Sequence, residues 1–184
     1  MIDIKGPRLH LRPLQAYDLA DFIAYRKDPD VCRYQGFDPF TEEKAIKFIE
    51  EQSKADFDLV GDWMQIGIES LQDHRLIGDC AVKFRLATPQ LVELGYTINP
   101  QFQRKGFATE AIKMLLQHLF QAQKVHKAIA QVDPRNEASL KLLERLGFVL
   151  EGKFRQHFYD DIDQRWVDEW QYGLLKTDFN SINS

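Results

Sequence analysis

The chain has 184 residues, with 24 Lys plus Arg against 28 Asp plus Glu, a net charge of −4, and a composition 44% hydrophobic and 28% charged. That length allows one compact domain with a proper core, and the profile excludes a disordered chain. The modest negative charge argues against general affinity for nucleic acid or an anionic membrane surface, although a local basic patch can still hold a small anion.

No run of 18 apolar residues is present, so nothing is expected to span a bilayer. Cys32 and Cys80 lie far apart and form no CxxC; with no signal peptide in view, they point to a reducing cytoplasm. The histidines at 10, 74, 118, 126 and 157 show neither HExxH nor HxxxH spacing, and no metal site is predicted.

In chain order, RLHLRPL (8–14) alternates as a first strand until Pro13 interrupts it. Leu19, Phe22, Ile23 and Arg26 at helical spacing predict a helix over 17–27. The segment 28–40 is rich in turn residues and carries three aromatics. Thr41 is then placed to cap a helix running through TEEKAIKFIEEQSKA, with acids in its first turn. Strands follow near 63–69, at 75–86 and at 91–98, separated by LQDHR and ATPQ. A helix from about Gly106 to Gln121 collects Ala108, Ala111, Ile112, Leu115, Leu116 and Leu119 on one side. KAIAQV (127–132) is a strand, SLKLLERLG a helix closed by Gly147, and FVLEGKFRQHF with RWVDEWQYGLL a final strand pair. The order β-α-α-β-β-β-α-β-α-β-β describes an α+β fold, a mixed and mostly antiparallel sheet of about seven strands with helices on both faces, in a single domain.

The run LVELGYTINPQFQRKGFATEA joins a strand to a helix. Pro100 ends the strand, and Gly106 permits a positive φ or a close ligand approach. Phe107, Ala108 and Thr109 then present first-turn amides, which with the helix dipole suit an anion such as a pyrophosphate. Gln103, Arg104 and Lys105 surround the turn with side-chain donors. Gly106 alone reads more simply as an ordinary left-handed turn with two solvated basic residues, and the segment has neither the GK[ST] of a P-loop nor GxGxxG.

QRKGFA fits the Q/R-x-x-G-x-G/A signature of the GNAT superfamily of acetyl-CoA-dependent N-acyltransferases. NEASLKLLERLGF (136–148) resembles that family's asparagine-bearing helix with a terminal L-G-F. GPRLHLRPL, ELGY and WQYGLL resemble the branch that contains bacterial ribosomal-protein N-terminal acetyltransferases, and the resemblance spans roughly residues 6–176. It implies the GNAT fold and acetyl-CoA as donor, with coenzyme A as product. It also implies that the main chain of Tyr96 and Ile98 pairs with the pantetheine arm, beside a bulge that splays the next strand away.

Alternation places Val92, Leu94, Tyr96 and Ile98 on one face of 91–98 and Leu91, Glu93, Gly95 and Thr97 on the other. Glu93 is the candidate general base, acting through a water on an amine; as a bare strand residue it is equally a salt-bridged acid. An α-amino group titrates near ~8 and a lysine amine near ~10.4, so an N-terminal acceptor needs little help. Asn136 reads as a contact to the cofactor or as the cap of the helix it precedes, with Asp133-Pro134 offering a competing cap.

Many GNAT enzymes carry a tyrosine in this helix to protonate the leaving thiolate. Here that position is Leu143, and Ser139, one turn earlier, is the candidate donor. Leu142, Leu143, Leu146 and Phe148 otherwise read as core. The late segment, with His157, Phe158, Tyr159 and acids at 160, 161, 163, 168 and 169, suits a cationic amine or forms a solvated hairpin. The aromatic stretch 33–40 is placed to cover the acceptor.

The reading is direct acetyl transfer to a primary amine in a ternary complex, by a monomer or homodimer. The acceptor is a ribosomal or other protein N-terminus, or alternatively an amino acid, polyamine or antibiotic amine. A non-catalytic acyl-CoA sensor is the alternative from another class.

Overall fold

The alternating runs of the sequence become β1 (Ile4–Lys5), β2 (Leu9–Pro13), β3 (Met64–Ser70), β4 (Arg75–Arg85), β5 (Thr88–Ile98), β6 (Lys127–Val132), β7 (Val149–Asp160) and β8 (Arg165–Leu175). The helices are α1 (Leu19–Arg26), α2 (Pro29–Cys32), α3 (Glu42–Gln52), α4 (Phe107–Gln121), α5 (Glu137–Arg145) and α6 (Lys176–Asn183). They belong to a computed structural model whose described residues are 2–35, 37–54, 56–57 and 61–183. Among these residues the strands form one sheet in the order β1-β2-β3-β4-β5-β6-β8-β7, antiparallel throughout except for the β5–β6 pair.

The sheet has eight strands rather than about seven. β1 is only two residues long, too short to leave an alternating pattern. Pro13 closes β2 instead of breaking it earlier, because a residue without an N–H cannot extend the ladder. Two short helices escaped the pattern: α2 has four residues, started by Asp28 capping Asp30 N–H, and α6 follows β8 directly.

Successive residues of each strand serve opposite faces. On one face Leu9, Ile66, Cys80, Val82, Val92 and Leu94 pack under α4, whose Ala111, Ile112, Leu115, Leu116 and Leu119 are buried as the helical spacing requires. α5 adds Leu143 to this core and α6 adds Phe179. On the other face Leu14 and Leu76 meet Phe22 and Tyr25 of α1 and Ala45 and Ile49 of α3, with Phe40 between them. Thr41 caps α3 by accepting the Lys44 N–H at 3.2 Å.

β5 and β6 run parallel but pair only at Leu91, Val92 and Glu93. Beyond Glu93 they part, and one edge of β5 is open. The implied bulge is not inside this stretch: the β4–β5 register is continuous from Val92 to Ile98, and the shift falls at Phe84/Arg85. The Asn99 N–H bonds the Ile77 carbonyl at 2.9 Å. That contact makes 79/97 and 81/95 the hydrogen-bonded pairs, so the peptide groups of Leu94, Tyr96 and Ile98 face away from β4, toward the gap.

Candidate active site

Next to the gap, the chain leaves β5 through Pro100–Phe102 and enters α4. Gly106 stands at the helix N-cap with φ 81°, and Arg104 two residues earlier is also left-handed at φ 60°. No side chain caps this helix start, so the first-turn amides of Phe107, Ala108 and Thr109 are left for an outside acceptor. A Cβ at Gly106 would meet only Arg8 Nη2, at 3.6 Å, which leaves open space above the turn.

Arg8, at the start of β2, completes the surroundings. Its Nε donates to Glu110 Oε2 at 2.6 Å, its Nη1 to the Lys105 carbonyl at 3.2 Å, and its guanidinium lies 4.6 Å from the centre of the Phe107 ring. Glu110, the one acid in the first turn, is thereby neutralised and does not repel an anion. The turn has the donor set a diphosphate requires: main-chain N–H groups, a helix dipole and the nearby cations Arg8, Arg104 and Lys105.

The open edge of β5 has two of its carbonyls engaged. Gln35 Nε2 donates to the Tyr96 carbonyl at 3.3 Å, and Gln103 Nε2 to that of Ile98 at 3.0 Å. Gln103 therefore turns back onto the strand and not outward over the helix start.

On the α1/α3 face of the sheet lies a cleft of about 600 Å³ that reaches the gap. Glu93, Gly95 and Thr97 form its floor, which is the face of β5 that alternation assigned to them. Aromatic walls come from Tyr34, Phe37, Phe40, Phe48, Trp63 and Phe158. Gly36 lies outside the described residues, but its neighbours in the 33–40 stretch do cover the cleft. Five carboxylates (Asp79, Glu93, Asp133, Asp168 and Glu169) against one guanidinium, Arg26, make the lining acidic.

Glu93 is 17% exposed and its nearest cation, Arg85, is 3.9 Å away, too far for a tight pair. Burial pushes its carboxyl above the usual range, only partly opposed by Arg85 and Lys83, and the nearby Glu169 adds to the rise. A carboxylate shifted this way is a better proton acceptor than a free one. Glu169 itself is held by His157 Nδ1 at 2.8 Å, and Asp168 accepts the Gln156 N–H at 2.9 Å.

The deep wall is ionic. Asp79 is fully buried and accepts from Tyr25 Oη at 2.5 Å, from Arg26 Nη2 at 2.5 Å and Nε at 3.1 Å, and from Gln65 Nε2. The Arg26 guanidinium also lies 4.1 Å from the centre of the Phe37 ring. This pair fixes α1 to β4 and so fixes the back of the cleft.

Across the gap, Asn136 caps α5 by accepting the Ser139 N–H at 3.1 Å, the structural role its residue type suggests. Asp133 does not compete for that cap; it holds Arg135, which also reaches Asp160 and Asp163 at 2.6 Å each. Arg135 thus ties the β6–α5 turn to the tip of the β7–β8 hairpin and holds the Asp160 carboxyl below its usual range. Two of the late acids are structural for that reason. Leu143, the position where a tyrosine is usual, is 1% exposed in the core and offers no hydrogen-bonding group. Ser139 is half-buried, with its Oγ 2.6 Å from the Tyr96 hydroxyl.

A strand pair that splays beside a glycine-started helix matches the acyltransferase fold that the motifs at 101–111 and 136–148 imply. The acetyltransferase (GNAT) domain model matches residues 8–149, and the chain belongs to this family of N-acetyltransferases, which use acetyl-CoA. It is 29% identical over 172 residues to the uncharacterized N-acetyltransferase p20 of Bacillus licheniformis, covering 94% of this chain and 95% of that one. It is 28% identical over 154 residues to the spermidine N(1)-acetyltransferase of Escherichia coli K12, covering 81% and 77%. Identity to the [ribosomal protein uS5]-alanine N-acetyltransferase of E. coli K12 is 34%, over 86 residues that cover 47% and 43%. A crystal structure of a GNAT acetyltransferase from Bacillus anthracis superposes with a TM-score of 0.85 at 27% identity, covering 95% and 99%. The relatives thus include both ribosomal-protein and polyamine acetyltransferases.

Sequence reading missed Arg8, Gln35, the Arg26–Asp79 pair and Arg135. Each acts on a partner distant in the chain, from 25 residues for Arg135 and Asp160 to 102 for Arg8 and Glu110. No local pattern marks such partners.

Proposed function

We propose that the protein acetylates a cationic primary amine by direct transfer from acetyl-CoA, in a ternary complex centred on the gap between β5 and β6. The observation that carries this is the open edge of Leu94–Ile98, which lies between the uncapped start of α4 and the acidic cleft. Acetyl-CoA would supply an activated acyl group as a thioester. The amides of Phe107, Ala108 and Thr109, with Arg104, Lys105 and Arg8, hold its diphosphate. The main chain of Tyr96 and Ile98 receives the pantetheine arm, which displaces Gln35 and Gln103 or lies over them, and Asn136 holds the first turn of α5 beside it.

Glu93 takes the amine proton through a water. A base with a raised pKa stays useful near neutral pH, where an ammonium must be deprotonated before it can attack. Ser139 donates a hydrogen bond toward the departing sulfur. Neither cysteine enters the reaction: Cys32 and Cys80 are both buried, and burial raises the proton affinity of each thiol.

For the acceptor, carboxylates and aromatic rings distributed along the cleft favour a small polycationic amine. The ammonium not undergoing acetylation would rest against Asp168, Glu169 and the ring faces. A protein N-terminus is the second reading, favoured by the half-exposed rim at Trp63 and Phe158, which leaves a path for a chain to continue outward. Thiol release from acetyl-CoA, measured with di- and polyamines beside short peptides with Ala or Ser N-termini, tests both. Turnover with polyamines alone supports the first reading and turnover with peptides alone the second. Coenzyme binding without thiol release for either class would refute the proposal.

A further inference from the structure

Building on the placement of Ser139 toward the departing sulfur, we infer that the Tyr96 hydroxyl is a positioning residue that aims and polarises the Ser139 hydroxyl. Tyr96 sits on β5 at the open edge, and its ring passes to the α4–α5 face of the sheet. There its Oη lies 2.6 Å from Ser139 Oγ and 3.5 Å from the Ser139 carbonyl, two oxygens of one residue. The Ser139 main chain is itself fixed, because its N–H is held by Asn136 Oδ1 at 3.1 Å.

Either oxygen of the 2.6 Å pair can donate. Only with the phenol as donor is the serine hydrogen left for the sulfur, and that is the arrangement inferred. Burial raises the proton affinity of the phenol, opposed only in part by the serine contact, so it remains a neutral donor across the working pH range. The serine oxygen then accepts, and its own hydrogen is free to point elsewhere. A hydroxyl that accepts a hydrogen bond donates a stronger one.

This arrangement supplies what Leu143 cannot. The helix position where the family commonly places a tyrosine is apolar and 1% exposed, while a phenol from β5 reaches the same helix one turn earlier, at Ser139. In the transfer step the C–N bond forms, the C–S bond breaks and sulfur leaves with the electron pair. Glu93 has by then passed the ammonium proton on to solvent, and it takes the second N–H proton as the amide forms. The two hydroxyls stabilise the thiolate by hydrogen bonding, no proton leaves Tyr96, and the thiolate takes its proton from water after release.

The test is a double-mutant cycle with Tyr96→Phe, Ser139→Ala and both together, each checked for coenzyme A binding by calorimetry. For Tyr96→Phe, kcat should fall about tenfold while the KM for acetyl-CoA stays unchanged. Ser139→Ala should fall further, toward the ~100-fold of a lost direct donor. The double variant should be no slower than Ser139→Ala, since the phenol acts only through the serine. Losses that multiply in the double variant would overturn the relay, as would full activity of Tyr96→Phe beside an impaired Ser139→Ala. Full activity of Ser139→Ala removes the Ser139 assignment and the relay together, yet leaves the transferase reading standing if thiol is still released.

Discussion

Gly106 separates two claims, because its backbone and its surroundings make different demands. At φ 81° a side chain occupies the left-handed region, which costs about 1–2 kcal/mol for an L-residue. Losing glycine also stiffens the unfolded chain, which returns about 0.4–1 kcal/mol. The net is about 1 kcal/mol, or roughly 2–4 °C in Tm for a chain of this size. An added Cβ meets only Arg8 Nη2, at 3.6 Å, so nothing steric is added to that sum.

Gly106→Ala and Gly106→Trp should therefore lose similar stability in thermal melts. Their affinities should diverge, since only the indole fills the space above the first-turn amides. Two charge-assisted hydrogen bonds at about 1.5 kcal/mol each would be lost, roughly 100-fold in Kd for coenzyme A by calorimetry. Unchanged affinity in Gly106→Trp would refute the diphosphate assignment. A Gly106→Trp protein that unfolds while Gly106→Ala does not would refute the claim that the space is open.

Glu93→Gln should reduce turnover more at pH 6.5 than at pH 9, where the amine deprotonates unaided; equal loss at both argues against a base. The sign for stability is opposite to that of a paired carboxylate. The folded-state pKa of Glu93 is raised by burial, so its charge disfavours folding above that pKa, and Glu93→Gln should melt no lower than wild type at pH 8. Arg26→Ala leaves Asp79 buried and facing only Tyr25 and Gln65, which should cost about 3–5 kcal/mol in urea unfolding; a loss under 1 kcal/mol would show the pair to be dispensable. Leu143→Tyr should not restore a thiolate donor: the site is closed core, so the larger ring should cost about 1–3 kcal/mol and leave kcat no higher.

Between Glu93 and Thr109, the strand faces and the left-handed turn at Gly106 were legible because they depend on neighbours in the chain. Alternation assigned Glu93, Gly95 and Thr97 to one face and Val92, Leu94 and Ile98 to the other, and the structure places the first set on the cleft floor and the second in the core. The cap at Thr41, the cap at Asn136 and the left-handed Gly147 (φ 88°) are equally short-range. The residue type of Gln103 announces a donor but not its direction, and here its side chain meets the Ile98 carbonyl, five residues back.

Thus periodicity and capping fixed the kinds of element and their order, since those depend on contacts within a few residues. Only the assembled sheet decided that β8, and not β7, lies beside β6, and that β5 and β6 part after Glu93. It also decided that Arg8 reaches the start of α4 and that a phenol on β5 meets a serine on α5. Those outcomes depend on which distant segments pack together, and the free energy of packing belongs to the whole core, which no short window of sequence contains.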